Sequence, residues 1–231
     1  MKIEIVTFTN KGYIKFTENL VKSIIKNNIE INLKIFTLDK DSFDFFNALN
    51  CTVEMVDDKE FNLSNFVRQD EEIFGELMYK KLQVIYQSLI NNDYVMYVDG
   101  DITIKKNPTS YLVKKISDKD FLIQNDKNPR KPFTEYLCAG FMFIKSNEKT
   151  KKFFNPKNIP KEEIMQGNHD QSYINKHKNN FKYKLLPLRL FPNGAHYYRF
   201  YKFLNPYIIH FNYVLGEEKE SIMKQHKEWY L

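Results

Sequence analysis

Cysteine, tryptophan and glycine are the scarce residues of this 231-residue chain, at two, one and seven copies. Cys51 and Cys138 lie far apart, each in apolar company. That excludes a disulfide-stapled scaffold and a cysteine metal cage, and it fits buried thiols in a reducing compartment. No run approaches the ~18 apolar residues of a membrane-spanning helix, so no transmembrane segment is expected. The chain opens directly on the strand-like Lys2-Ile-Glu-Ile-Val-Thr-Phe8. No signal peptide is seen ahead of it, and a cytoplasmic or otherwise soluble location is the expectation.

A one-sided charge is lacking too. Lys and Arg number 35 against 29 Asp and Glu, a net charge of +6. The lysines are spread along the chain and form no block resembling a nucleic-acid arm, so no nucleic-acid partner is expected. A modest positive balance leaves phosphate-bearing small molecules as partners. What is abundant is aromatic: Phe 20 and Tyr 15, within 42% hydrophobic and 28% charged residues. Those shares suit a globular protein, and the length suits a single domain over 1–231.

The first hundred residues alternate strand and helix. Residues 3–8, 33–38 and 51–56 are β-rich, and 70–90 carry Met78, Leu82, Ile85 and Leu89 at helical spacing. Tyr94–Val98 is an unbroken apolar run, as in a strand buried on both faces. This alternation predicts an α/β fold with a mostly parallel, Rossmann-like central sheet and flanking helices. Ligands of such sheets gather at the carboxyl ends of the strands. Thr7–Asn10, Asp39 and Asp99–Asp101 are polar residues at such ends. Residues 105–231 are less regular. Strands are predicted near 121–124, 137–144 and 206–211, and a helix near 169–177.

Asp99-Gly-Asp101, directly after the buried strand, is the most informative stretch. Two like charges one residue apart are costly unless a cation lies between them or one is protonated. Asp99-Gly-Asp-Ile-Thr103 matches the D-x-D-x-T nucleophile motif of the haloacid-dehalogenase-like phosphatases. That family carries the motif on its first strand and needs a later acidic pair. Here it falls on the fourth strand, and no such pair follows. The phosphatase is an alternative reading.

Four further stretches extend a different resemblance. Leu137-Cys-Ala-Gly-Phe-Met-Phe-Ile-Lys-Ser146 looks like an N-A-G-F-M strand. Gly167-Asn-His-Asp-Gln-Ser-Tyr-Ile-Asn175 looks like a D-Q helix start. Ile208-Ile-His-Phe-Asn-Tyr-Val-Leu-Gly-Glu-Glu-Lys219 looks like a closing H-x-N-x-x-x-G-x-x-K. Phe191-Pro-Asn-Gly194 and Trp229 complete the set. Together with D-x-D, the chain resembles the nucleotide-diphospho-sugar transferases of glycosyltransferase family 77, and more distantly the glycogenin and galactosyltransferase group of family 8. The resemblance covers essentially the whole chain. Cys138 departs from it, standing where many relatives have Asn.

The resemblance implies a GT-A fold, with residues 1–104 as a nucleotide-binding half and 105–231 as an acceptor-side half with a smaller β subdomain. It implies transfer of a sugar, with retention, from a nucleoside-diphosphate donor (a UDP-sugar) to a glycan, protein or small-molecule acceptor; a non-catalytic nucleotide-sugar-binding protein of the same fold is a further alternative. Asp99 and Asp101 would hold a divalent ion, Mn²⁺ or Mg²⁺. His210 is either a core histidine or the third ligand, since a neutral imidazole with two carboxylates suits such an ion. Lys219 is either a solvated helix residue or, beside Gly216, a point charge on the diphosphate. Asp170 and Gln171 either cap a helix or lie beneath the donor sugar, Asp170 at its hydroxyls and Gln171 facing the anomeric carbon. Lys81, rather than Lys80, is the candidate contact to donor phosphate or sugar. Thr7, Phe8, Asn10 and Tyr13 would hold base and ribose. Phe191–Gly194 with His196 and Tyr197 form a candidate lid or acceptor rim.

Overall fold

A computed structural model gives the fold and describes residues 1–56, 72–127, 135–165 and 169–231. In chain order the elements are β1 (Ile3–Thr9), α1 (Ile14–Lys26), β2 (Leu33–Thr37), α2 (Lys40–Ala48), β3 (Thr52–Met55), α3 (Glu72–Asn91), β4 (Tyr94–Val98) and β5 (Ile102–Ile104). There follow α4 (Thr109–Ile116), β6 (Phe121–Asn125), β7 (Leu137–Lys145), α5 (Glu148–Phe154), the helical turn α6 (Lys161–Glu163), α7 (His169–His177), β8 (Tyr183–Leu186), α8 (Gly194–Phe200), β9 (Ile208–His210) and α9 (Gly216–Gln225).

Among the described residues, seven strands form the central sheet, in the order β3-β2-β1-β4-β7-β6-β8. Every neighbouring pair is parallel except those of β7, which runs antiparallel to β4 and β6. Side chains alternate between the two faces, as the pleat requires. Along β4, Val95 and Tyr97 join one core cluster, whereas Met96 and Val98 join the other. The first cluster takes Leu82, Ile85 and Leu89 of α3, Phe154 of α5 and Tyr173 of α7. The second takes Leu20 and Ile24 of α1, Phe46 of α2, and Leu112 and Ile116 of α4. Helices therefore cover both faces, which is why the central strands read as continuous apolar runs. Each such buried aliphatic side chain contributes about 1.5–3 kcal/mol of transfer free energy.

The strands expected at 121–124 and 137–144 extend the central sheet. The smaller β element is a two-stranded ribbon in which β5 pairs antiparallel with β9, Ile102 opposite His210. Asp39, one of the polar strand ends, caps α2 by accepting from the Ser42 backbone N–H at 2.8 Å. Among the described residues, no helix is long and apolar enough to cross a membrane.

Candidate active site

The parallel strands bring β1, β4 and β6 to one edge of the sheet by their carboxyl ends, and antiparallel β7 brings its amino end there. The edge thus collects Thr9–Asn10, Asp99–Asp101, Asp126 and Cys138–Gly140 around one cavity of about 470 Å³. The β5–β9 ribbon closes one side and delivers His210 next to the aspartates. The first turn of α7 delivers Asp170 and Gln171. Asn175 ties that helix to β7, accepting from the Leu137 N–H at 2.9 Å and donating to its carbonyl at 2.8 Å.

One ligand atom each from Asp99, Asp101 and His210 lies within 4.8 Å of the others. The imidazole Nε2 is 3.3 Å from an Asp101 oxygen and 3.9 Å from an Asp99 oxygen. Asp99 is further fixed by its N–H to the Gly140 carbonyl (2.8 Å) and by the Tyr97 hydroxyl, which donates to Oδ1 at 2.7 Å. Each aspartate also has its own lysine. Lys81 lies between Asp99 (3.1 Å) and Asp170 (2.8 Å), and Lys219 pairs with Asp101 while donating to the Tyr13 hydroxyl at 3.1 Å.

Lys81, Asp101, Asp170 and Lys219 are buried. Burial alone would raise the Asp101 pKa, but the Lys219 ammonium holds it well below the usual carboxylate range. Burial opposes the charge on Lys81, and the carboxylates of Asp170 and Asp99 more than offset it, raising its pKa above the ordinary lysine value. Among the described residues, the carboxylates of Asp99, Asp101 and Asp170 against the ammonium groups of Lys81 and Lys219 leave an excess negative charge where Nε2 meets two acceptor oxygens. Such a donor set fits a divalent cation. A Cβ on Gly140 would fall 2.2 Å from the imidazole and 2.7 Å from an Asp99 oxygen, so only glycine leaves the cluster its space.

Phe8, Asn10, Tyr13, Lys81, Asp170, Gln171, His210, Gly216 and Lys219 line the same cavity as the aspartates. Thr7 does not. It is fully buried within β1, and Thr9 takes its place at the cavity wall. Phe191–Gly194 are buried, and Asn193 caps α8 at the His196 N–H. Gly167 and Asn168 lie outside the described residues.

Sequence reasoning missed Gln124, Tyr97 and Asp126. Gln124 sits fully buried behind His210, its Oε1 2.7 Å from Nδ1. Asp126 accepts from Gln171 at 3.0 Å and from Asn212 at 3.2 Å, and burial pushes its pKa up despite those bonds. The strand-end rule that singled out Asp99 applies equally to Asp126 after β6. Gln124 had a weaker signal, a polar residue directly after the apolar run Phe121–Ile123.

Residues 30–223 match the family model described as nucleotide-diphospho-sugar transferase. Among curated proteins, the chain is 24% identical to the UDP-galactose:fucoside alpha-3-galactosyltransferase of Dictyostelium discoideum, across 99% of this chain and 43% of that protein. It thus spans less than half the length of the curated relative it matches. Among solved structures, it is similar to the galactosyltransferase LgtC in complex with donor and acceptor sugar analogues (TM-score 0.61, 14% identity, 90% of this chain and 86% of that one). It is also similar to a glycosyltransferase involved in glycosylation of the major capsid of PBCV-1 (TM-score 0.59, 11% identity, 97% and 100%). These structures share its fold, the GT-A arrangement.

Proposed function

The chain belongs to the nucleotide-diphospho-sugar transferase family; on that footing we propose that it is a metal-dependent glycosyltransferase using a UDP-sugar and retaining the donor's anomeric configuration. The observation that carries this is the meeting of Asp99, Asp101 and His210 beside Lys81 and Lys219 in one cavity. Asp99, Asp101 and His210 hold the ion, Mn²⁺ or Mg²⁺. When bound, it supplies Lewis-acid stabilisation of the departing diphosphate.

The chain's own groups do the rest. Lys219 is buried and preorganised at Asp101, so its charge meets developing negative charge without reorganisation. Gly216, at φ +53°, opens α9 with a backbone that the diphosphate can approach closely. Phe8, Asn10 and Tyr13 hold the nucleoside. Lys81 fixes Asp170 against the donor sugar's hydroxyls. Gln171 is held on both sides, by the Ala139 N–H at 3.1 Å and by Asp126, and faces the anomeric carbon. Retention rests on the family resemblance, and an acceptor hydroxyl enters from the open side of the cavity.

UDP-galactose is the first donor to test, since the Dictyostelium relative is named for it. With Mn²⁺, slow donor hydrolysis should appear and should be lost in Asp99→Asn, with the released sugar first detected as the donor's anomer by proton NMR. Rapid p-nitrophenyl phosphate turnover that Asp99→Asn destroys would instead support the dehalogenase-like phosphatase.

A further inference from the structure

Gln124 follows the apolar Phe121–Ile123 in its strand, is fully buried, and does not line the cavity. We propose that Gln124 is a positioning residue that fixes the tautomer of His210 and so makes it a metal ligand. This rests on the metal-dependent reading above.

The amide orientation is determined by what surrounds it. Gln124 Nε2 donates to the Pro192 carbonyl at 2.9 Å and to the Phe191 carbonyl at 3.3 Å. Turning the amide over would set its oxygen against two carbonyl oxygens and its NH₂ against the imidazole, losing both bonds. Oε1 therefore faces His210 Nδ1, at 2.7 Å. A carbonyl oxygen only accepts, so Nδ1 carries the proton. A neutral imidazole has one such proton, which leaves the Nε2 lone pair pointing at Asp101 and Asp99. Cys138 Sγ, at 3.6 Å from Nδ1, is the weaker partner.

The brace is closed on itself. Pro192 O also accepts the backbone N–H of His210, at 3.2 Å. The strand register explains how Gln124 gets there. Ile123 pairs with Met142 but Gln124 pairs with Cys138, so Ala139–Phe141 have no partner on β6. Such a bulge bends a strand and re-aims its side chains. Here it lets Gly140 serve Asp99 on one side while Gln124 reaches His210 on the other.

The test is Mn²⁺ affinity by calorimetry, with thermal stability measured alongside. Gln124→Met removes the acceptor at Nδ1 and should weaken Mn²⁺ binding about 10–100-fold, the scale seen when a ligand's outer hydrogen-bond partner is lost. Gln124→Glu keeps an acceptor there and loses the amide donors. It should lose stability as Gln124→Met does, yet bind Mn²⁺ within roughly threefold of the unaltered chain or tighter. Affinity that simply follows stability in both variants overturns the proposal. If Asp101→Asn leaves Mn²⁺ binding unchanged, the metal reading itself fails and takes this proposal with it, an outcome distinct from the comparison of the two Gln124 variants. The unaltered protein gives a second readout that needs no variant to fold. With Mg²⁺ and UDP, the imidazole ¹⁵N shifts of His210 should place the proton on Nδ1, and a proton on Nε2 overturns the assignment.

Discussion

Gly140 and His210 claim the same space: a Cβ on Gly140 would lie 2.2 Å from the imidazole Cε1 and 3.0 Å from Nδ1. The imidazole is held by Gln124 and by the β5–β9 pairing, so relief must come from displacing His210 or Asp99. Gly140→Ala should cost about 1–3 kcal/mol, as overpacking does. It should also weaken Mn²⁺ binding by tenfold or more. Denaturant unfolding and calorimetry on the same preparation separate the two effects.

Asp101 and Lys219 form a buried ion pair, so removing one charge strands the other. In chelator, Asp101→Asn should destabilise the fold by about 3–5 kcal/mol. Adding Lys219→Met to it should recover most of that loss, because an isolated ammonium no longer remains. Urea titrations of the two single variants and the double variant give the coupling directly.

Lys219 is also the charge assigned to the leaving diphosphate. Lys219→Ala should lower kcat by roughly 10²-fold, the scale of losing one preorganised donor, with donor affinity falling less. Lys224, on the same helix but exposed and paired with Glu220, is the control and should tolerate alanine. Equal kinetics for the two variants would make Lys219 a structural counter-ion only.

Away from the cavity, Asp120 joins β6 to the strand and helix beside it. It accepts from the Lys182 N–H and from Asn147 at 2.9 Å each, and from Lys149 at 3.4 Å. Burial raises its pKa, but these donors outweigh it and leave the carboxyl below its ordinary value of 3.8. The unfolded chain therefore takes up this proton first on acidification, so the stabilisation is complete above that value and is lost as pH falls below it. Asp120→Asn should cost about 1–2 kcal/mol at neutral pH and markedly less at acid pH, read from urea unfolding at the two values.

The alternation of strands and helices was legible because periodicity marks buried faces, and Tyr94–Val98 is the clearest case. The aspartates were legible because charge at the end of a buried strand needs a reason. Lys81 and Lys219 were legible as candidates, but their pairing with Asp99 and Asp101 was not. A pairing across 18 or 118 residues depends on topology, which periodicity does not encode. Thr7 was misplaced at the cavity by two residues because strand ends are poorly marked locally. Gln124 escaped notice since its role appears only once the β7 bulge turns it toward His210.

The most direct measurement of the central claim is the melting temperature with UDP, in Mn²⁺ and in EDTA, for the unaltered chain and His210→Ala. Binding to the native state alone raises stability by mass action. The account predicts a large UDP-induced rise with Mn²⁺, little in EDTA, and loss of the Mn²⁺ advantage in His210→Ala. Equal stabilisation by UDP in EDTA and in Mn²⁺ would contradict it.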